Sequence, residues 1–217
     1  MPHNKRQSMP KNWPLARKGN VYYINASHAN NEGMPVLVAL RDVLKIAQTA
    51  KEVRMMTLGK EVLVNQKVRQ DVKFPVQVFD VLSLPKMKKN YRLEVVGKRL
   101  KFVEVDEKAA SRNVAKIIGK VLVAKDTVQM NLEDGTNLIA KQDFSVGDTA
   151  VISLKDNKLE KVIPLKEGAK VLVVGGRHSG KHGKVAKISM IDNKKEYLIK
   201  FEEGEAVLPV KTLLAID

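Results

Sequence analysis

Between Val171 and Val185 the chain reads V-L-V-V-G-G-R-H-S-G-K-H-G-K-V. Alternating apolar residues enter and leave a loop in which Gly175, Gly176, Gly180 and Gly183 are interleaved with Arg177, His178, Lys181, His182 and Lys184. Glycine takes positive φ and lets the backbone approach a partner closely, while Arg and Lys supply charge for phosphate oxygens. The pattern predicts a strand, a basic glycine-rich turn and a second strand, suited to a polyanion.

Narrower chemistries fit this segment less well. Gly175-x-x-x-x-Gly180-Lys181 follows the phosphate loop of nucleotide hydrolases until His182, which stands where a Ser or Thr would ligate magnesium. The V-A-K-I-S-M-I that follows alternates as a strand, whereas that loop must open a helix. His178 and His182 have a metal-ligating spacing for a helix, but they lie among glycines, and only His3 and His28 remain as further imidazoles. With no cysteine in the chain, disulfides, thiolate metal sites and Cys nucleophiles are excluded. Asp134 and Asp148 fit turns. A uridine-isomerising enzyme needs an Asp after Arg-Leu, and here Lys101 follows Arg99-Leu100. No catalytic residue, metal, cofactor or small-molecule substrate is expected.

The charge of the whole chain supports a polyanionic partner. Its 217 residues carry a formal net charge of +15, and the distribution is uneven. Residues 1–20 hold five bases and no acid, residues 41–101 hold 15 bases and 6 acids, and residues 102–165 hold 9 bases and 10 acids. A basic surface kept only for solubility does not explain that neutral middle. Patchy charge points to a docking face. No apolar run approaches the roughly 18 to 20 residues of a spanning helix. Pro2, Pro10 and Pro14 spoil the amphipathic helix of a targeting segment, so a soluble, cytoplasmic protein is expected.

These residues must be positioned by several small units, since 44% hydrophobic content with few aromatics favours small aliphatic cores. Residues 1–33 form a basic N-terminal extension, whose first twenty residues show no helical or strand period and are expected to order only against a partner. From Pro35, the residues Val36, Leu37, Leu40, Val43, Leu44 and Ala47 recur at helical spacing, with Arg41, Asp42, Lys45 and Gln48 opposite. Thr49 and Glu52 form a capping-box signal for a second helix, with Val53 and Met56 inward, Lys51 and Arg54 outward, and Gly59 at its end. A small hairpin turns at Asn65 and Gln66 and carries Lys60, Lys67, Arg69 and Lys73. Residues 34–89 therefore form a basic helix-pair-and-sheet domain. Residues 90–165 read as short strands with turns at Gly97, Asp134-Gly135, Gly147-Asp148 and Asp156-Asn157, a central β domain with a short helix within 104–117. Residues 166–217 complete a third unit, a small barrel around the glycine-rich hairpin.

In this order the chain resembles, almost end to end, the archaeal and eukaryotic-type (e-type) small-subunit ribosomal protein four family. The resemblance is carried by His3-x-Lys5-Arg6-x-x-x-Pro10-Lys11-x-Trp13 and by Leu40-Arg41-Asp42-Val43-Leu44. It continues through Val68-Arg69-x-Asp71-x-x-Phe74-Pro75, Asp80-Val81, Asn131-Leu132-x-Asp134-Gly135 and Gly147-Asp148-Thr149, and it ends in Gly175-Gly176-x-x-x-Gly180-x-x-Gly183. The resemblance implies a multidomain α+β fold: an N-terminal extension, an αα-hairpin-plus-small-sheet RNA-binding domain, a central β domain and a C-terminal KOW-type barrel. It also implies a structural role on small-subunit rRNA beside neighbouring ribosomal proteins, one copy per ribosome, with no membrane and no catalysis. Gln66 and Gln77 stand where the family usually has glycine, so the Asn65-Gln66 turn is expected to be of another type or less tight.

On this reading Lys5, Arg6, Lys11, Arg17 and Lys18 thread among rRNA strands, and Trp13 either stacks on a base or anchors the tail. Arg41, Lys45, Lys51, Arg54, Lys60, Lys67 and Arg69 bind backbone phosphates. Arg177, Lys181 and Lys184 do so in the glycine-rich loop, with His178 beside them. Two other readings explain less. A KOW-containing transcription or assembly factor leaves the tail and helix pair unexplained, and an RNA-modifying enzyme lacks its catalytic residues.

Overall fold

The computed structural model describes residues 4–28, 33–124, 127–140, 143–191, 194–202 and 204–216. The chain divides into two compact units, Met1–Val95 with Arg99–Asn113, and Val96–Lys98 with Val114–Asp217. Among the described residues, no helix is long and apolar enough to cross a membrane.

In the first unit the extension folds back on itself, contrary to the expectation that it orders only against a partner. Strand β1 (Asn4–Lys5) pairs with β2 (Tyr22–Tyr23), and Met9 and Trp13 are buried. The Trp13 indole donates to the Gly33 carbonyl at 3.2 Å, and its ring meets Tyr23 edge to face at 5.7 Å. Leu100 N–H donates to the Asn12 carbonyl at 2.7 Å, tying the tail to the body. A segment without periodicity thus gains its order from one large indole buried on non-local partners. His3, which opens the sequence motif, lies outside the described residues.

After β3 (Gly33–Pro35), helix α1 (Val36–Val38) buries Val36, Leu37 and Val38, and then widens over Ala39–Val43. There Leu44 N–H donates to Ala39 C=O, five residues back. Lys45 follows at φ 55, so the helical run stops short of Ala47. Helix α2 (Ala50–Leu58) opens with the expected capping box: Thr49 accepts from Glu52 N–H at 3.2 Å, and the Glu52 carboxylate accepts from Gln48 and Thr49 N–H. Hydrogen bonding from the Gln48 N–H first, and then from the Thr49 side chain, holds the Glu52 pKa below its ordinary value. The helix end differs from expectation. Gly59 has φ −70, and the left-handed residue is Lys60 at φ 58. Lys60 N–H donates to Thr57 C=O and Glu61 N–H to Met56 C=O, the paired bonds of a Schellman cap.

The hairpin follows as β4 (Leu63–Val64) and β5 (Lys67–Val68). Asn65 and Gln66 both have positive φ, 51 and 61, as a type I′ turn requires, so Gln66 leaves that turn geometry in place. The buried Asp80 carboxylate accepts from Asn65 Nδ2 at 2.7 Å and from Gln77 N–H at 2.8 Å, fixing the turn from below. Strand β6 (Pro75–Gln77) pairs with β3, and β7 (Val81–Leu84) pairs with β4. The sheet runs on past residue 90, where the sequence reading sets a boundary. Its order is β5-β4-β7-β8-β9, with β8 at Lys89–Val96 and β9 at Arg99–Glu104. Helix α3 (Glu107–Ala110) is the one short helix within 104–117; a strand begins at Arg112.

In the second unit β10 (Arg112–Ala124), β11 (Thr127–Leu132), β12 (Asn137–Ala140), β13 (Thr149–Ser153) and β14 (Lys158–Ile163) form a sheet of order β12-β11-β10-β13-β14. Its core holds Ala115, Ile117, Met130, Leu132, Phe144, Ala150 and Ile152. A second sheet has the order β18-β17-β16-β15-β19, from β15 (Lys170–Val173), β16 (His182–Ile191), β17 (Lys194–Phe201), β18 (Gly204–Pro209) and β19 (Leu213–Ile216). Val171, Val185, Ile199 and Leu213 lie in its core. The Asp148 carboxylate ties the turn before β13 to the segment after β14: it accepts from Ser145 N–H and from Leu165 N–H, each at 2.9 Å, which gives it a structural task.

Candidate nucleic-acid interface

The tail bases divide into two groups. Arg6 Nε donates to Ala16 C=O at 2.6 Å and Arg17 to Met9 C=O at 2.7 Å, so these two guanidinium groups close the tail loop around Trp13. Lys5, Lys11 and Lys18 are exposed. Trp13 is an anchor in this structure, 2% exposed.

On the helices, Arg41 forms a bidentate pair with Asp42 at 2.9 and 2.8 Å, and that hydrogen bonding, set against partial burial, raises the guanidinium pKa. Two of its N–H donors are thereby committed within the chain. Lys51, Arg54, Met55 and Leu58 share one exposed face of α2 at helical spacing, with Met55 65% and Leu58 58% exposed. The sequence reading had picked out the two bases of this stripe and missed its two apolar members. Spacing alone carried the signal: once Val53 and Thr57 are buried, 51, 54, 55 and 58 must face outward.

Lys45 and Lys60 are exposed at left-handed positions that follow helix ends, and Lys67 is exposed on β5. Arg69 lies with its guanidinium 4.1 Å from the Phe74 ring centroid, and His28 meets the same ring edge to face at 5.4 Å. That stacking holds the guanidinium in one orientation, with its Nε buried and unbonded. The tail lysines, the α2 face and the hairpin bases thus all belong to the first unit.

The glycine-rich loop belongs to the second unit. Gly180 N–H donates to Val173 C=O at 2.7 Å and Ser179 Oγ to Val174 C=O at 2.8 Å, so the loop is internally braced. Its glycines serve different ends. Gly176 and Gly180 have φ 85 and 83 and meet a backbone need. Gly183 lies in β16, where a Cβ would come within 2.5 Å of Ile199 Cγ2 and 2.9 Å of Lys200 O, so it meets a packing need inside the sheet. Gly175 has ordinary contact only, 3.8 Å to Thr212 Cγ2. Arg177 and Lys184 are exposed, Lys181 is half-buried, and His178 stacks on Phe201 with ring centroids 5.3 Å apart. The residues after Lys181 form strand β16, not a helix. Among the described residues, no group of three or more His, Asp or Glu side chains is placed to hold a metal ion.

A chain with this tail, helix pair and three five-stranded sheets has known relatives. The family described as Ribosomal family S4e matches residues 87–159. Small ribosomal subunit protein eS4 of Methanocella arvoryzae is 36% identical over 186 residues, spanning 84% of this chain and 79% of its own length. The chain belongs to the eS4 family. The eS4 protein of Archaeoglobus fulgidus is 35% identical over 185 residues, with 84% and 78% covered. The crystal structure of the 30S ribosomal protein S4e from Thermoplasma acidophilum superimposes with a TM-score of 0.72 at 24% identity, covering 85% of this chain and 95% of that one. The multidomain α+β architecture is therefore an eS4 fold, and the family is not one of enzymes.

Proposed function

We propose that this chain is a structural constituent of the small ribosomal subunit, where it binds and stabilises small-subunit rRNA by phosphate and shape recognition and so supports translation. The identity with eS4 relatives across 84% of the chain carries this reading, because a match of that length extends beyond either compact unit alone. A transcription or assembly factor sharing only the last third leaves the remainder unexplained. The place of work is the cytoplasmic ribosome, beside neighbouring ribosomal proteins, at one copy per particle.

Within that role Lys5, Lys11 and Lys18 contact rRNA from the braced tail, and Arg6 and Arg17 hold its loop while presenting their outer donors. Lys45, Lys51, Arg54, Lys60, Lys67 and Arg69 meet phosphates across a folded RNA surface, with Arg41 contributing what its pairing with Asp42 leaves. Met55 and Leu58 lie against sugar or base faces between those phosphates. Arg177, His178, Lys181 and Lys184 form a second contact on the C-terminal sheet, which closes as a KOW-type barrel. The four-part division at residues 1–33, 34–89, 90–165 and 166–217 describes how the chain is used on the RNA, although the first sheet borrows β8 and β9 from the third part.

Sedimentation of native lysate through a sucrose gradient, before and after a high-salt wash, tests the role. The chain is expected with the small subunit at near one copy per particle in both. Release to the top fractions by salt would mark a transient factor instead.

A further inference from the structure

Side chains directly opposite one another in an antiparallel sheet share a face, with Cβ atoms about 4.5–5.5 Å apart. In the C-terminal sheet Lys170 stands opposite Lys184, and Lys184 opposite Lys200. Three lysines therefore form one row across β15, β16 and β17, and all three are exposed. The row lies on the face away from the core, since the chain neighbours Val171, Val185 and Ile199 are buried in it. Like charges set directly opposite destabilise a strand pair. Among the described residues one carboxylate meets the row: Glu205, opposite Lys200, with its Oε1 3.2 Å from Nζ. At the other end Lys170 faces Ile216.

A bulge adds a fourth charge. Val185 pairs with Ile199 and Lys187 with Leu198, which leaves Ala186 as the extra residue. Without it the alternation would turn Lys187 into the core; with it Lys187 returns to the lysine face, exposed. Four lysines are thus gathered on one sheet face at the expense of strand pairing, and the row spans about 10 Å over three strands. That length exceeds one small anion and suits successive phosphates of a chain.

We infer that this outer face is a binding surface for RNA backbone phosphates, additional to the glycine-rich loop. It rests on the rRNA-binding reading above and extends it to Lys170, Lys187 and Lys200.

The test replaces Lys170, Lys184, Lys187 and Lys200 by Gln in the full chain and measures binding to a small-subunit rRNA fragment across a salt series, with thermal unfolding of the free protein alongside. A control replaces the exposed Lys155, Lys158, Lys166 and Lys195 in the same unit. For the row variant, the slope of log affinity against log salt is expected to become shallower by about 3, at about 0.7 to 0.9 per phosphate contact. The unfolding temperature should hold or rise, because repulsion has been removed. The control should keep the wild-type slope. An unchanged slope in the row variant overturns the inference while steep wild-type binding leaves the rRNA reading intact; a flat wild-type slope sinks that reading. Equal losses in row variant and control would show net charge alone, and a lower unfolding temperature would show structural lysines; either overturns the inference. So does loss of polyglutamate binding with RNA affinity kept, which would make an acidic protein segment the occupant.

Discussion

Lys60 concentrates at one residue the tension between stability and function. It closes helix α2 in a left-handed conformation that glycine occupies at lower cost, and like Lys51 and Arg54 it is exposed on the basic first unit. A non-glycine residue there costs about 1 kcal/mol. Lys60→Gly is therefore expected to raise the stability of the free protein by roughly that amount, measured by urea unfolding, while making the salt slope of rRNA binding shallower by about 1. A more stable variant with unaltered binding would mean that Lys60 faces only solvent. Trp13 shows the opposite case. Its indole is buried and bonded to Gly33, so Trp13→Ala should cost about 3–5 kcal/mol and expose the tail to protease. If stability holds and only RNA affinity falls, Trp13 is a base-stacking residue after all. Sequence left those two roles open, because burial on Gly33 and Tyr23 is a non-local property that no local pattern of the tail encodes.

At the scale of elements, what was legible in sequence was what neighbours along the chain decide. Thr49 and Glu52 announced the start of α2, and the alternation on either side of Gly175–Gly183 announced β15 and β16. What long-range pairing decides was not legible: the joining of β8 and β9 to the first sheet, and the bulge that turns Lys187 outward. The same limit hid the reason for Gly183. Gly183→Ala should disrupt the sheet, since its Cβ would meet Ile199, whereas Gly175→Ala should be tolerated; thermal unfolding of the two variants separates them. Lys116 adds a pH dependence that only packing reveals. It is buried on β10 with its ammonium bonded to the Val210 carbonyl, and burial pushes its pKa down to about 8, with Glu133 opposing and Lys211 assisting. The folded value lies below the ordinary 10.5, so the unfolded chain holds the proton more tightly between pH 8 and 10.5. Stability must rise with pH across that window, and the contribution is lost as pH falls through 8. Lys116→Met removes this linkage. Its stability advantage over the wild type should shrink by about 3 kcal/mol between pH 7 and pH 10.5 in urea titrations, and a constant difference would mean that the ammonium is solvated.

For the whole molecule, the two units carry unequal shares of the charge. The first holds 21 Lys and Arg against 10 Asp and Glu, a net +11, and the second holds 18 against 14, a net +4. Phosphate binding is read in the number of counterions released and not in net charge, so the units make separable predictions. Of the bases in the first unit, Arg41 is paired with Asp42, and Arg6 and Arg17 are bonded to tail carbonyls, while Lys5, Lys11, Lys18, Lys51 and Arg54 are exposed. With about six to eight phosphates neutralised, this unit alone should give a salt slope near −4 to −7. Replacing Lys5, Lys11, Lys18, Lys51 and Arg54 together by Gln in the full chain should make the slope of rRNA-fragment binding shallower by about 4. Replacing Arg6 and Arg17 should act differently. Their guanidinium groups brace the loop around Trp13, so the first effect is a lower unfolding temperature, with loss of slope following only as the tail opens. If all seven positions instead shift the slope equally and leave stability alone, the tail is held by RNA and not by its own carbonyls, and the fold of the extension depends on its partner.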